Sequence, residues 1–346
     1  MKIGIMTVSR VDNNGTNLQA LAMQKLFKKF CDHVQLINYK CEKLENSRKL
    51  FYPHTLKGFL SIPWKIANHY NHEKFRRKHF VYSDKVYTKK DLNNLDYDAV
   101  VAGSDQIWNL SITGGDLSFF LPFDCVGNKY SYAASIGKTN VEAWEKEYGL
   151  SKLLNDFQCV SVREKSGVDA LKEIGVSSRF DLDPLLMMKK EDWLNYHDPI
   201  SFKKKYVFVY LADGNPDAMN FAKKYARENN LEVIAWGNYI KPVPGIKAVR
   251  FSGIGKWLSY IDNAELVVTN SYHCLAFTIL YNKNFTVFHL KNQIQSNTRL
   301  DNLINNVGLA TIDDGAIYEP DWQTVESALG ELRKSSFEYI EKCFGE

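Results

Sequence analysis

The sequence predicts an α/β protein of two lobes, each built on a parallel sheet. Three features lead to that class. Strand-like apolar runs alternate with helical stretches along most of the chain, the runs are continuously apolar, and they come in two sets separated by the polar stretch His197–Lys205. Continuous apolar runs mark strands covered on both faces, the condition of parallel strands flanked by helices. At 346 residues the chain is also too long for one ordinary core, so two domains follow.

In the first set, Lys2–Val8 reads as a strand from its β-branched and aliphatic content. Asn17–Phe30 follows as a helix, with Leu18, Leu21, Ala22, Leu26 and Phe30 near helical spacing. Further strands are expected at Val34–Tyr39, Asp98–Gly103, Lys129–Ile136 and Cys159–Val162. Ser166 opens a helix, with Asp169 in a capping-box position and Gly175 as the stop. In the second set the strands are Tyr206–Leu211, Leu231–Trp236, Glu265–Thr269 and Phe285–Leu290. The helices between them are Asp217–Asn229, Ile254–Asp262 and His273–Tyr281. The tail, Asp321–Cys343, reads as helical. The expected domains are an N-terminal Rossmann-like lobe over 1–197, a C-terminal Rossmann-like lobe over 198–315, and a tail over 316–346 that packs back across the lobes.

One segment departs from the alternation. Arg48–Lys90 is rich in Lys, Arg, His and aromatic residues and carries few acids. It reads either as a helical insertion with a solvated basic face or as a surface that rests on anionic lipid, for which a basic aromatic stretch is suited.

Composition narrows the function classes. The hydrophobic share of 45% and charged share of 24% are those of a globular protein. A net charge of +4 does not by itself call for nucleic acid, and no zinc-finger spacing, basic heptad or RNP-like aromatic motif is present. The six cysteines are scattered without a C-x-x-C pair, which speaks against zinc and disulfides and for a reducing compartment. "MKIGIMTVSR" lacks the features of a signal peptide, and no apolar stretch approaches the roughly 20 residues of a membrane span. A cytoplasmic location is expected, with the inner face of the plasma membrane as a peripheral site if the basic segment meets lipid.

Four polar clusters stand at expected strand ends. "SRVDNNGTNLQALA" (Ser9–Ala22) is a turn running into a helix start, where free N–H groups and the helix dipole can hold an anion; equally, Thr16 or Asn17 is an ordinary cap. "VVAGSDQIWN" (Val100–Asn109) combines Gly103, hydrogen-bonding Ser104, Asp105, Gln106 and Asn109, and the flat face of Trp108, the mixture that binds sugars or, alternatively, a turn before a buried Trp. Arg163 in "SVRE" is an anion clamp or the partner of a nearby carboxylate. "TNSYHC" delivers His273 to a helix start after a core strand, where an imidazole can act as acid or base. No G-x-S-x-G elbow surrounds Ser271, so a hydrolase triad is excluded there. "YDAVVAGSDQIWN" and "AELVVTNSYHCLAF" also echo each other, each running acid, two valines, polar cluster.

Taken in order, "NNGTNLQALA", "VVAGSDQIWN", "SVREKSGVDALKEIG" with "FDLDPLLM", "SGIGKWLSYIDNAELVVTNSYH" and "TRLDNLINNVGL" resemble the polysaccharide pyruvyl transferase family over roughly residues 1–310. The resemblance implies a fold similar to GT-B glycosyltransferases, with a cleft between two lobes. It implies phosphoenolpyruvate as donor, a sugar in a cell-surface polysaccharide or its lipid-linked precursor as acceptor, and a cyclic pyruvyl ketal across two hydroxyls of one sugar, with phosphate released. No cofactor and no essential metal are expected, and no nucleic-acid partner. His273, at the place of the family's motif histidine, and Asp105 are the implied catalytic residues. Arg163, Ser271, Asn270, Arg299, Asn17 and Gly15 are implied at the donor, and Gln106, Trp108 and Asn109 at the acceptor.

One position departs from the family. Ser271 stands where many members carry an arginine two residues before the histidine, so the donor carboxylate falls to Arg163, Lys291 or Arg299, or the donor differs. Two alternatives follow: a GT-B-type glycosyltransferase using a nucleotide sugar, and a non-catalytic subunit of a polysaccharide assembly system.

Overall fold

The computed structural model of the chain describes residues 1–46, 56–137, 140–239, 242–291 and 294–344. Residues 48–55 of the basic segment therefore lie outside the described part. By contacts the chain divides into two units: Met1–Lys49 with Arg76–Met188 and Gly330–Glu346, and Leu50–Phe75 with Lys189–Leu329. The division differs from the expected one in two places. The change of unit follows Met188, not 197, and the basic segment is shared between the units.

Unit 1 holds a four-stranded parallel sheet in the order β2-β1-β3-β4, formed by β1 (Lys2–Met6), β2 (His33–Leu36), β3 (Ala99–Ala102) and β4 (Asn128–Ser131). Register is fixed by pairs such as Ile3 with Val34 and Ala99, and Val101 with Tyr130. Two short strands, β5 (Ser161–Val162) and β6 (Arg179–Phe180), form a separate pair, and bridges from Tyr130 to Cys159 and Ala134 to Val162 place β5 beside β4. β3 is fully buried, as its unbroken Ala-Val-Val-Ala run requires. The helix Asn14–Phe27 is buried over all but one of its residues, and its cap is Asn13, whose side chain accepts from Thr16 N. The cap thus lies three residues before the earliest position expected. The helix after β5 begins at Lys165 with Glu164 as cap, not at Ser166, and Gly175 follows it at φ 76°, a left-handed stop.

Unit 2 holds a five-stranded parallel sheet in the order β11-β10-β7-β8-β9: β7 (Tyr206–Tyr210), β8 (Glu232–Trp236), β9 (Lys247–Val249), β10 (Leu266–Thr269) and β11 (Phe285–Val287). The helices Pro216–Glu228, Ile254–Asp262 and Tyr272–Leu280 connect these strands. The last is buried at every position, because its residues are apolar all round and only a two-sided core can cover them. β9 escaped the sequence reading; it is three residues long, on the sheet edge, and two of its residues are exposed.

Candidate functional site

The two sheets share a topology. In unit 1 the order is β2-β1-β3-β4, and unit 2 contains the corresponding order β8-β7-β10-β11, with β9 added outside β8. Connections leaving β1 and β3 in unit 1, and β7 and β10 in unit 2, therefore diverge at the carboxyl ends, where open α/β sheets bind ligands. The two echoing runs of the sequence are β3 and β10 with their following loops, so both polar clusters stand at a switch point.

In unit 1 the loops after β1 and β3 are bonded to each other. Thr16 Oγ1 donates to Asp105 Oδ2 at 2.7 Å and Thr7 Oγ1 to the Ser104 carbonyl at 2.8 Å. Gln19 Nε2 ties the same loop to Thr7, Val8 and Thr16. Gly103 has φ 137°, and a Cβ there would stand 2.0 Å from the Tyr132 carbonyl oxygen, so no other residue fits this close approach. Asp105 follows at φ 69°, a left-handed conformation that Asp tolerates. Its backbone accepts from Ser135 N and Ile107 N, which brings the loop after β4 alongside. Gln106 and Asn109 meet there, Asn109 Nδ2 donating to Gln106 Oε1 at 3.2 Å. Asp105, Gln106 and Asn109 are thus gathered at one sheet end, next to Gly15 and Thr16 at the start of the first helix.

Three residues assigned from the sequence stand elsewhere in this framework. Trp108 is fully buried, its ring stacked on Phe120 with centroids 5.4 Å apart and its Nε1 donating to the Phe119 carbonyl. It offers no face to a sugar; the turn before a buried Trp is the correct reading. Arg163 is 3% exposed, with Nη1 donating to Asp183 Oδ2 at 2.7 Å and Nε 3.4 Å from Glu164 Oε1. Glu164 in turn accepts from Ser135 Oγ at 2.6 Å. This is a charge-assisted brace among the loops after β4, β5 and β6, in place of a clamp open to a ligand. Asn17 is likewise buried; its Nδ2 donates to the Val11 and Asn13 carbonyls, and its Oδ1 accepts from Arg76. Arg76 also pairs with Asp12 at 3.0 Å, so one cation of the basic segment serves to shape the first loop. Sequence reasoning missed Thr16 and Arg76 as organisers, since nothing local announces a partner 89 or 64 positions away.

In unit 2, Asn270 joins the loops of the switch point. Its Oδ1 accepts from Ala212 N at 2.7 Å and its Nδ2 donates to Asp213 Oδ1 at 2.6 Å. Thr269 Oγ1 donates to the Tyr210 carbonyl and accepts from Ser271 N, which fixes the turn into the helix. Ser271 is the helix cap with an extended backbone and without a side-chain capping bond. His273 lies in the first turn and is 9% exposed, its ring edge-on to Tyr272 at 5.4 Å. The next residue, Cys274, is no nucleophile: burial pushes its thiol up to about 12. Lys291 is ion-paired with Asp217, whose hydrogen bond raises the lysine above its ordinary value. Arg299 lies in the helix Ile294–Asn306, partly buried, two positions before Asp301, which His289 contacts. Among the described residues no group of three or more His, Cys, Asp or Glu side chains is placed to hold a metal ion.

The family model described as polysaccharide pyruvyl transferase matches residues 14–292. The chain belongs to the polysaccharide pyruvyl transferase family. The matched span runs through both switch points and includes every implied site residue except Arg299. No curated protein matches the sequence. Among solved structures, this pyruvyl transferase family member is similar to a putative UDP-N-acetylglucosamine 2-epimerase from Listeria monocytogenes, with a TM-score of 0.50, 12% identity, and 98% of this chain and 90% of that chain covered. It is also similar to UDP-GlcNAc 2-epimerases from Neisseria meningitidis (TM-score 0.49, 8% identity, 99% and 93% covered) and Methanocaldococcus jannaschii (TM-score 0.49, 11% identity, 99% of each chain). At such identities the likeness concerns the fold, an α/β architecture with parallel sheets of the GT-B-like kind.

Proposed function

We propose that the protein is a GT-B-like transferase acting on a saccharide, and that the group it transfers is pyruvyl from phosphoenolpyruvate. The family match over 14–292 supports this most directly, with His273 in the first turn of the helix at the unit 2 switch point. The reaction forms two C–O bonds to the donor's C2 and breaks the bond to phosphate. Its methylene gains one proton and becomes methyl, two sugar hydroxyls each lose one, and phosphate carries the other away. His273 is assigned the proton delivered to the methylene or to the departing phosphate, and Asp105 the removal of a hydroxyl proton. Acid–base groups so placed are worth about 10²–10⁴ in rate. Asn270, Ser271, Arg299 and the helix start at Gly15 are assigned to the donor, Gln106 and Asn109 to the acceptor. Arg163 and Asn17 act on the site by holding its loops.

A second reading is supported by the fold and by Ser271. GT-B-like folds are shared with enzymes named for nucleotide sugars, and a serine in place of the family's arginine removes the cation best suited to a carboxylate donor. On this reading the chain is a glycosyltransferase with a nucleotide-sugar donor. Thermal unfolding with phosphoenolpyruvate, phosphate or a nucleotide-sugar panel separates the two. A ligand at about 100 times its Kd stabilises by about 2.7 kcal/mol. Stabilisation by phosphoenolpyruvate that is lost in His273→Gln fits pyruvyl transfer, and stabilisation by nucleotide sugars alone transfers the assignment to the second reading. No response to any donor, with or without acceptor, favours a non-catalytic subunit.

A further inference from the structure

The helix Ile62–His79 buries two polar side chains and leaves part of its apolar surface exposed. Its polar residues His72 and Arg76 are the buried ones, at 3% and 2% exposure. Trp64 and Phe75 are partly buried, but Ile66 and Tyr70 are 47% and 66% exposed, and Phe59 and Leu60, in the short helix just before it, are 62% and 50% exposed. Four of the eleven exposed large hydrophobic side chains of the described residues thus fall within 12 positions. Pro63, Ile66, Tyr70, Lys74 and Arg77, all exposed, follow one another at intervals of three and four, so they form one stripe along the helix. The stripe is apolar in its first half and cationic in its second, where Lys78 adds to it. From Ser61 to His79 the cations are Lys65, Lys74, Arg76, Arg77 and Lys78, and the only acid is Glu73. Arg76 is buried against Asp12 and takes no part in the exposed stripe.

A stripe that joins exposed aromatic and aliphatic groups to an excess of positive charge fits the boundary between lipid headgroups and acyl chains. We infer that this helix docks the protein on an anionic membrane surface, with Phe59, Leu60, Ile66 and Tyr70 entering the interface and Lys74, Arg77 and Lys78 meeting the headgroups. No helix among the described residues is long and apolar enough to cross a membrane, so the contact is peripheral. The inference does not depend on the reaction. A second copy of the chain would cover the apolar half but not compensate the like charges beside it.

The test is co-sedimentation with vesicles of phosphatidylcholine alone and of phosphatidylcholine mixed equally with phosphatidylglycerol, with light scattering on the protein alone. Wild type is expected on the mixed vesicles, less at high salt, and only weakly on the neutral ones. Each cation contributes about fivefold, so Lys74→Gln/Arg77→Gln/Lys78→Gln lowers the affinity about a hundredfold. Ile66→Ser/Tyr70→Ser lowers it about tenfold. All five side chains are at the surface, and circular dichroism verifies that both variants fold. The inference is overturned by wild type that ignores mixed vesicles, or by variants that bind them as wild type does. It is equally overturned by an apolar variant that turns a dimer into a monomer with vesicle binding unchanged.

Discussion

Asp181 provides a sharp physical test of unit 1, because it is a carboxylate with no exposed side-chain surface. It follows β6 in "FDLDP", next to the buried Tyr132 and to the C-terminal helix, whose Ser336 Oγ accepts from Leu182 N at 2.9 Å. Arg179 Nη2 lies 3.0 Å from Asp181 Oδ1. Burial outweighs that neighbour and the hydroxyls of Ser161 and Ser336, and pushes the carboxyl up to about 6 from 3.8. The rise corresponds to about 3 kcal/mol at about 1.36 kcal/mol per pH unit. Its sign follows from proton binding. Below about pH 4 the carboxyl is protonated in both states. Between about 4 and 6 the unfolded chain releases the proton while the folded one keeps it, so stability falls as pH rises. Above about 6 both are ionised and the full penalty remains. Asp181→Asn keeps the shape and removes the charge. Thermal unfolding of wild type and variant across pH 4–7.5 should show the variant gaining on wild type as pH rises, by about 3 kcal/mol at the upper end, less whatever Arg179 loses with its partner. A stability difference that is constant across that range would refute the assignment of a raised carboxyl to this position.

Asn270→Ala removes both bonds between the unit 2 loops and should cost about 1–3 kcal/mol in melting experiments, with a larger proportional loss of donor affinity; Asn270→Asp, which faces Asp213 with a like charge, should be worse. Gly103→Ala places a methyl 2.0 Å from the Tyr132 carbonyl oxygen at a φ that alanine disfavours, and soluble folded protein should fall sharply in expression and circular dichroism. Trp108→Phe should lower the melting temperature through lost packing against Phe120 and Phe157 while leaving the acceptor KM of the folded enzyme unchanged; a raised KM would restore the platform role.

What the sequence made legible, and what it hid, follows one physical division. Strands such as Leu266–Thr269 and helices such as Ile254–Asp262 were readable to within a residue, because their apolar content is dictated by two-sided burial. The placement of "TNSYH" at a strand end was readable for the same reason, since the break in apolar pattern marks where the sheet stops. Partners were not readable. Arg163 looks identical in sequence whether it meets a ligand or Asp183, and only the chain's return through "FDLDP" decides it. Trp108 was misread because a polar neighbourhood along the chain says nothing about which way a ring turns; it turns into a core of Phe119, Phe120 and Phe157. β9 was missed because a short, exposed edge strand needs little apolar character. The echo of the two Val-Val runs acquires weight only from the shared strand order.

The reaction is tested most directly by running it in deuterated water. Wild type and His273→Gln would be incubated with phosphoenolpyruvate and cell-surface glycans, with phosphate release followed and the product glycan analysed by mass spectrometry and proton NMR. Pyruvyl transfer predicts phosphate release that requires a glycan, a ketal whose methyl group carries one deuterium from solvent, and loss of both in the His273 variant by about 10²-fold or more. Phosphoenolpyruvate left intact, with a nucleotide released from a nucleotide sugar under the same conditions, would contradict pyruvyl transfer and establish glycosyl transfer in its place.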